Sequence, residues 1–469
     1  MLRIQPNVKK LFLLVRAADA SLAAKRLHEE IINKSLFGVL REREGSNIME
    51  KIVAVAGDVS CENLGIRDSQ MSKEVQEEID IIVNSAATTN FNERYDLSLA
   101  INTFGAANLM SFANKCANAK IFLHVSTAYV CGEREGLILE KPFRMGETLN
   151  GSHNLDINAE QQLAMGLLTE LRGKNASDRE ISNAMKDFGV HRARIHGWPN
   201  TYAFTKAMGE MLLGHLKKEH LPLLVFRPTI ITSTLKEPFS GWIENFRTLD
   251  SIAFAYGKGK LKFFLADPRA IIDIIPVDMV VNAMIMGTVI NSHHKQLSPH
   301  SEGDEPIIYH LGSSSRNPIT FATIQSLTRQ YFVKNPWINE DGRPVKVRKA
   351  RVISSISNFR IYMTLRYLVF IKVLRLASSV LCLRKHEELY LNMNRKVKVA
   401  LKLSDLYKPY VFFKGIFDDS NTEALRKEAK ERGVDLETFN FDPKSIISWE
   451  DYLIKTHFPG IHLAINTNK

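Results

Sequence analysis

Tyr202 and Lys206 stand four residues apart in the run HGWPNTYAFTKAMGE, residues 196–210, so on a helix they share one face about one turn apart. A free phenol titrates near pH ~10, and an adjacent ammonium favours the phenolate, which moves the group toward general acid work at neutral pH. Spacing alone does not select this reading. With 12 Tyr and 62 Lys plus Arg in the chain, a chance Y-x-x-x-K is expected, and an exposed helix face competes with it. Pro199, Asn200 and Thr201 carry helix-start chemistry just before the tyrosine, which places Tyr202 in a first turn, at the mouth of a site.

The elements that must position this pair are legible as short apolar runs at 11–15, 52–56, 79–83, 121–125 and 223–226, the pattern of parallel strands buried on both faces. Helical stretches at 20–34 and 96–116 alternate with them. Alternation of this kind predicts an α/β, doubly wound, Rossmann-type parallel sheet, whose ligands bind where the strands' carboxyl ends meet. Arg16, Asp58 with Val59, Ala86 with Ala87, Ser126 with Thr127, and Arg227-Pro228 all fall at such ends. Each alone reads as a turn, cap or small-residue contact; the series in register reads as a site. Residues 150–190 look like a polar, helix-prone insertion ahead of the Tyr202 helix, and 273–278 and 307–311 like closing elements of a first domain spanning 1–350.

Length and composition bound the rest. At 469 residues with 45% hydrophobic content the chain is long enough for two domains, the second a smaller, mainly helical one at 351–469. Its most apolar stretch, 367–383, is interrupted by Lys372 and Arg375 and is short for a bilayer span of ~20 residues, so a core helix is preferred over an interfacial amphipathic one. Cys61, Cys116, Cys131 and Cys382 have no metal-ligand spacing; no metal site is expected, and a reducing, cytoplasmic setting is. The net charge of +11 suits phosphate-bearing small molecules or anionic lipid, and no nucleic-acid motif accompanies it.

The runs LVRA (14–17), GDV (57–59), VSTAYV (125–130), HGWPNTY (196–202) with Lys206, RP (227–228), DIIPVD (273–278) and WEDY (449–452) together resemble the plant-type alcohol-forming fatty acyl-CoA reductases, extended short-chain dehydrogenase/reductases, over nearly the whole chain. The resemblance implies two successive hydride transfers from NADPH, taking a long-chain acyl-CoA to an aldehyde and then to a primary fatty alcohol for wax or surface lipid. It implies that Tyr202 protonates the substrate oxygen, that Lys206 holds the nicotinamide ribose and lowers the Tyr202 pKa, and that Thr127, or in second place Ser126, hydrogen-bonds the same oxygen. Arg16, in place of a carboxylate, would clamp the 2′-phosphate of NADPH; Asp58, Val59, Ala86, Ala87 and Pro228 would complete the cofactor wall. Peripheral association with the endoplasmic reticulum membrane is left open, as is oligomeric state.

One departure stands beside the resemblance: no glycine-rich G-x-x-G-x-x-G run is found, and Gly257-Lys258-Gly259-Lys260 reads as a basic surface turn rather than a substitute. The expectation is therefore a sheet whose first strand is missing, leaving its neighbours gaping or closing up, and a pyrophosphate poorly held, so that the chain is inactive or nearly so. Two other functions compete. An extended reductase or epimerase on a nucleotide sugar would share Tyr202 and Lys206 but not need the last hundred or so residues; a catalytically silent, acyl-CoA-binding or membrane-associated relative would keep them as relics.

Overall fold

The computed structural model describes the whole chain except residues 1, 3–4, 6, 45–49, 293–304, 370, 372–383, 447 and 468–469. The strands are β1 (Leu11–Arg16), β2 (Ile52–Gly57), β3 (Ile81–Asn84), β4 (Ile121–Val125), β5 (Gly136–Ile138), β6 (Leu223–Pro228), β7 (Ile230–Thr232), β8 (Phe263–Leu265), β9 (Ile274–Pro276), β10 (Ile307–Leu311), β11 (Arg351–Ile353) and β12 (Gly415–Phe417). Four of them form a parallel sheet in the order β10-β6-β4-β3, and β1 pairs with β2, also in parallel. The remaining strands make two-stranded pairs.

Alternation along each strand divides its apolar side chains between two layers. Ile121, Leu123, Leu224 and Phe226 join a core with Ile275 of β9 and with Met279 and Met286 of the helix Val277–Asn291 on one face. Phe122, Leu223 and Val225 join Met110, Phe112 and Leu213 on the other. All six residues of β6 are buried, as a central strand covered by helices on both faces requires; each such Leu or Phe contributes roughly 1.5–3 kcal/mol of burial.

Between β1 and β3 the sheet gapes. Among the described residues no strand fills this space, and a groove of about 610 Å³ lies there, lined by Leu14 and Arg16 of β1 and by Val83, Ala86 and Ala87 at the end of β3. Leu14 and Val83, strand residues of an apolar type, stay 36% and 44% exposed, which marks both edges as open. Of the two outcomes expected for a sheet without that strand, this is the gap rather than closure.

The C-terminal part is mainly helical and is stitched to the first body rather than set apart from it. β12 pairs with β5. The buried Glu140 carboxylate accepts from the backbone N–H of His310 at 2.7 Å and of Asn421 at 2.5 Å, tying β10 to the start of the helix Ser420–Glu431. Tyr452, Leu453 and Phe458 enter the same core as Ile275 and Phe332. The apolar run 367–383 lies for the most part outside the described residues; among those described, no helix is long and apolar enough to cross a membrane. Gly257-Lys258-Gly259-Lys260 forms the end of the helix Thr248–Gly257, with Gly259 at φ +67°, a turn as expected.

Candidate active site

The HGWPNTY run is the mount of Tyr202. His196 and Trp198 pack their rings on Phe204 at 5.3 and 5.1 Å, and the Trp198 indole N–H donates to the Val130 carbonyl at 2.8 Å. His196 also meets Glu160, whose buried carboxylate accepts from Arg192 and from the Tyr95 hydroxyl at 2.7 Å. Burial raises the pKa of that carboxylate, but the hydrogen bonds from His196, Arg192 and Tyr95 outweigh it and bring it to about 2. The insertion ahead of the Tyr202 helix thus has a legible job: its helices Ile157–Gly173 and Asp178–Ile195 carry Glu160 and Arg192. Asn200 then caps the helix Thr201–Leu216, its Oδ1 accepting from the Ala203 N–H at 2.9 Å, which puts Tyr202 in the first turn. A Cβ on Gly209 would run into the Asn102 carbonyl, so glycine there lets the Tyr202 helix lie flush against the helical run 95–113. Asn102 and Thr103 bond across that contact to Thr205, at 3.1 and 2.8 Å.

From this mount the Tyr202 ring reaches the wall of a cleft of about 1030 Å³, whose lining includes Arg16, Ala87, Phe91, Thr127, Tyr202 and Tyr407. Burial pushes the Tyr202 phenol up to about 12; a hydrogen bond with Thr127 and then the charge of Arg247 pull against that rise. Lys206 does not figure in it. The expected lowering of the phenol's pKa by Lys206 is replaced by a net rise, because desolvation is the larger effect and the ammonium is engaged elsewhere. Its Nζ donates to the Val125 carbonyl at 2.7 Å at the end of β4. Lys206 is 1% exposed, and burial brings it down to about 8, with Glu210 pulling the other way. Glu210 cannot neutralise it fully, for its carboxylate is committed to the buried Arg227, Nη2 to Oε2 at 2.6 Å. Next to Lys206, His124 is held far below its usual pKa by burial and then by that ammonium, so the imidazole is neutral.

The other residues expected at the site fall at two distances from this centre. Thr127 is beside Tyr202 and lines the cleft. Ser126 is buried, and its Oγ has no hydrogen-bond partner among the described residues. Arg16 and Ala87 line both the cleft and the groove between β1 and β3, so the two spaces adjoin there; Asp58, Val59 and Ala86 line the groove alone. Asp58 spends one carboxylate oxygen on the N–H and hydroxyl of Ser60, at 2.9 and 2.7 Å. Pro228 sits opposite Leu311 in the β6–β10 ladder, and the residues after it, Thr229 and Ile230, line the cleft in its place.

A dinucleotide fits these residues in part. The exposed Arg16 stands where cleft and groove meet, the Tyr202 phenol lines the cleft, and the Ser126 Oγ, without a partner among the described residues, lies just past the end of β4, next to Thr127. The glycine among the groove's lining residues, Gly57, ends a strand and opens no helix, so among the described residues the groove's glycine offers a pyrophosphate no helix N-terminus of the usual kind.

Several cleft residues carried no sequence signal. Phe91 stacks on Tyr410 at 5.2 Å and lies 5.4 Å from the Tyr202 ring. Tyr407 and Tyr410 come from the helix Arg384–Val411, about 200 residues downstream. Arg247 comes from the start of the helix Thr248–Gly257.

Comparison with known proteins gives the family. Residues 1–284 and 366–467 each match a sequence profile described as Male sterility protein, the first of them NAD-binding. The chain is 51% identical over 469 residues to "Fatty acyl-CoA reductase 1" of Arabidopsis thaliana, covering 98% of this chain and 92% of that relative. It is 50% identical over 465 residues to "Alcohol-forming fatty acyl-CoA reductase" of Simmondsia chinensis, with the same two coverages. Among solved structures, a reductase domain of a nonribosomal peptide synthetase from Mycobacterium tuberculosis superposes with a TM-score of 0.52 at 18% identity, over 92% of this chain and 81% of that one. The terminal reductase domain of the myxalamid pathway gives 0.50 at 17%, over 93% and 84%; at these identities the likeness is one of fold. The first part of the chain is accordingly a nicotinamide-dinucleotide-binding body, and the chain as a whole belongs to the plant alcohol-forming fatty acyl-CoA reductase family.

Proposed function

We propose that this chain reduces long-chain fatty acyl-CoA to primary fatty alcohol with NADPH, through an aldehyde, in the service of wax or surface-lipid synthesis. The observation that carries the reading is that the Tyr202 phenol and its Thr127 partner line one cleft with Arg16, while the buried Lys206, one helical turn beyond Tyr202, is held at the end of β4, two residues before Thr127. The nicotinamide, when bound, supplies the hydride for both reductions. The first adds hydrogen to the thioester carbon and breaks its bond to sulfur, whose electron pair leaves with coenzyme A; the second converts the aldehyde carbonyl to an alkoxide.

Tyr202 meets that oxygen as a proton donor. At about 12 the phenol is protonated at neutral pH, yet it is a stronger acid than a water-like hydroxyl near ~15.7, so transfer to an alkoxide runs downhill. Thr127 gives a second hydrogen bond at the same place, and the charged Lys206 a third favourable interaction with negative charge as it develops. An ammonium has three N–H donors; one serves Val125, leaving the others for a ribose hydroxyl and the phenol. Arg16 would pair with the 2′-phosphate, which selects NADPH over NADH. The division near residue 350, cytoplasmic placement and peripheral contact with the endoplasmic reticulum membrane are proposed with this function.

Incubating the purified chain with a long-chain acyl-CoA and NADPH, and measuring fatty alcohol by gas chromatography, tests it. Two NADPH consumed per alcohol formed is the expected stoichiometry. Turnover of a nucleotide sugar with no product from acyl-CoA would overturn the reading.

A further inference from the structure

We propose that Tyr410, on the C-terminal helix Arg384–Val411, is a positioning residue for the reaction: through the side-chain amide of Asn200 it fixes the first turn of the helix that carries Tyr202. Asn200 is 1% exposed, and its amide is used at both ends. Oδ1 accepts from the Ala203 N–H at 2.9 Å, and Nδ2 donates to the Tyr410 hydroxyl at 2.9 Å. The first of these bonds is what any cap supplies. Ser, Thr or Asp would supply it too. What asparagine adds is a donor on the same rigid plane as the acceptor, and here that donor is spent on a residue 210 positions away.

Tyr410 is itself gripped. Its ring stacks on Phe91 at 5.2 Å and meets Tyr129 edge-on at 4.9 Å. Phe91 in turn touches the Tyr202 ring at 5.4 Å. The C-terminal part therefore acts on the proton donor in two ways, through the Asn200 amide at the start of the helix and through Phe91 at the ring. Without the Tyr410 oxygen a buried amide N–H loses its partner, and the side chain has reason to rotate away from the Ala203 N–H. A small displacement of Tyr202 is enough to slow proton transfer, because the donor must lie within hydrogen-bond reach of the substrate oxygen.

The activity arm of the test rests on the function proposed above, and a second arm does not. Tyr410→Phe keeps the ring and its contacts with Phe91 and Tyr129 and removes only the hydroxyl. We expect kcat for acyl-CoA reduction to fall about 10-fold with the KM for NADPH unchanged, the size of one buried donor left unpaired. Asn200→Ser, which keeps a cap but no amide donor, should lose a similar amount, and the double variant no more than either single one. In the second arm, hydrogen exchange at the Ala203 amide of the free protein should be faster in Tyr410→Phe than in the parent. If the parent makes no alcohol from acyl-CoA, the functional reading fails, while the exchange measurement still decides the positioning role. Unchanged exchange in Tyr410→Phe would overturn the proposal. So would a Tyr410→Phe loss that is undiminished in the Asn200→Ser background, or a silent Tyr410→Phe beside a Tyr410→Leu that raises only the KM for acyl-CoA, which would leave Tyr410 as mere cleft wall.

Discussion

Raising the pH from 7 to 9.5 should move the activity and the stability of this protein in opposite directions, and Lys206 is the reason. Its ammonium is 1% exposed and titrates at about 8 instead of its usual 10.5, because burial penalises the charge. It is then about nine-tenths charged at pH 7 and about one-tenth at pH 9. If the charged form holds the cofactor ribose and supports Tyr202, kcat/KM should fall about tenfold over those two units. Stability goes the other way. Between pH 8 and 10.5 the unfolded chain keeps a proton on Lys206 that the folded chain has released, so the unfolded state binds more protons and folding is favoured as pH rises. A shift from 10.5 to about 8 corresponds to at most ~3.5 kcal/mol, at ~1.4 kcal/mol per unit. The assay is a pair of pH profiles, kcat/KM and the urea midpoint, for the parent and for Lys206→Met, whose difference isolates this one group. A parent rate flat from pH 7 to 9.5, or a parent-minus-variant stability that falls with pH over that range, would refute the reasoning.

Arg16→Ala should weaken NADPH binding about tenfold or more and leave NADH binding nearly unchanged, as read by fluorescence quenching; equal losses would assign Arg16 to structure instead. Glu160→Gln should destabilise the fold by roughly 3 kcal/mol at pH 7, since it uncouples a carboxylate shared by Arg192, His196 and Tyr95. Because the Glu160 pKa is lowered from 4.5 to about 2, its contribution is full above ~4.5 and is lost as pH falls toward 2, so the gap between the parent and this variant should narrow on acidification. Gly209→Ala should lower activity and stability together by pushing the Tyr202 helix off the Asn102 carbonyl.

How far the sequence could be read depended on the range of each interaction. The strands were legible because a strand covered on both faces is a plain apolar run: 121–125 and 307–311 match β4 and β10 residue for residue. The third was placed two residues early, since Ile79 is apolar for a different reason: it ends the helix Ser69–Glu78 and packs under the sheet. Tyr202, Lys206 and the cap at Asn200 were legible because their relation lies within one helical turn. The direction of the Tyr202 shift was not, because it turns on burial by distant parts of the chain, which outweighs the opposing pull of Thr127 and Arg247. Phe91, Tyr407 and Tyr410 left no trace at all: their meeting depends on how a C-terminal helix crosses the carboxyl edge of the sheet, and no local pattern encodes that crossing.

The central claim is that Tyr202 gives its proton to the substrate oxygen, and replacing it by Phe tests that most directly. The ring and its contact with Phe91 remain while the proton is gone. Fatty alcohol formed from a long-chain acyl-CoA and NADPH should drop by about 10²- to 10⁴-fold, the usual worth of a general acid, with NADPH binding retained. Alcohol formation by Tyr202→Phe at the parent's rate would contradict the account.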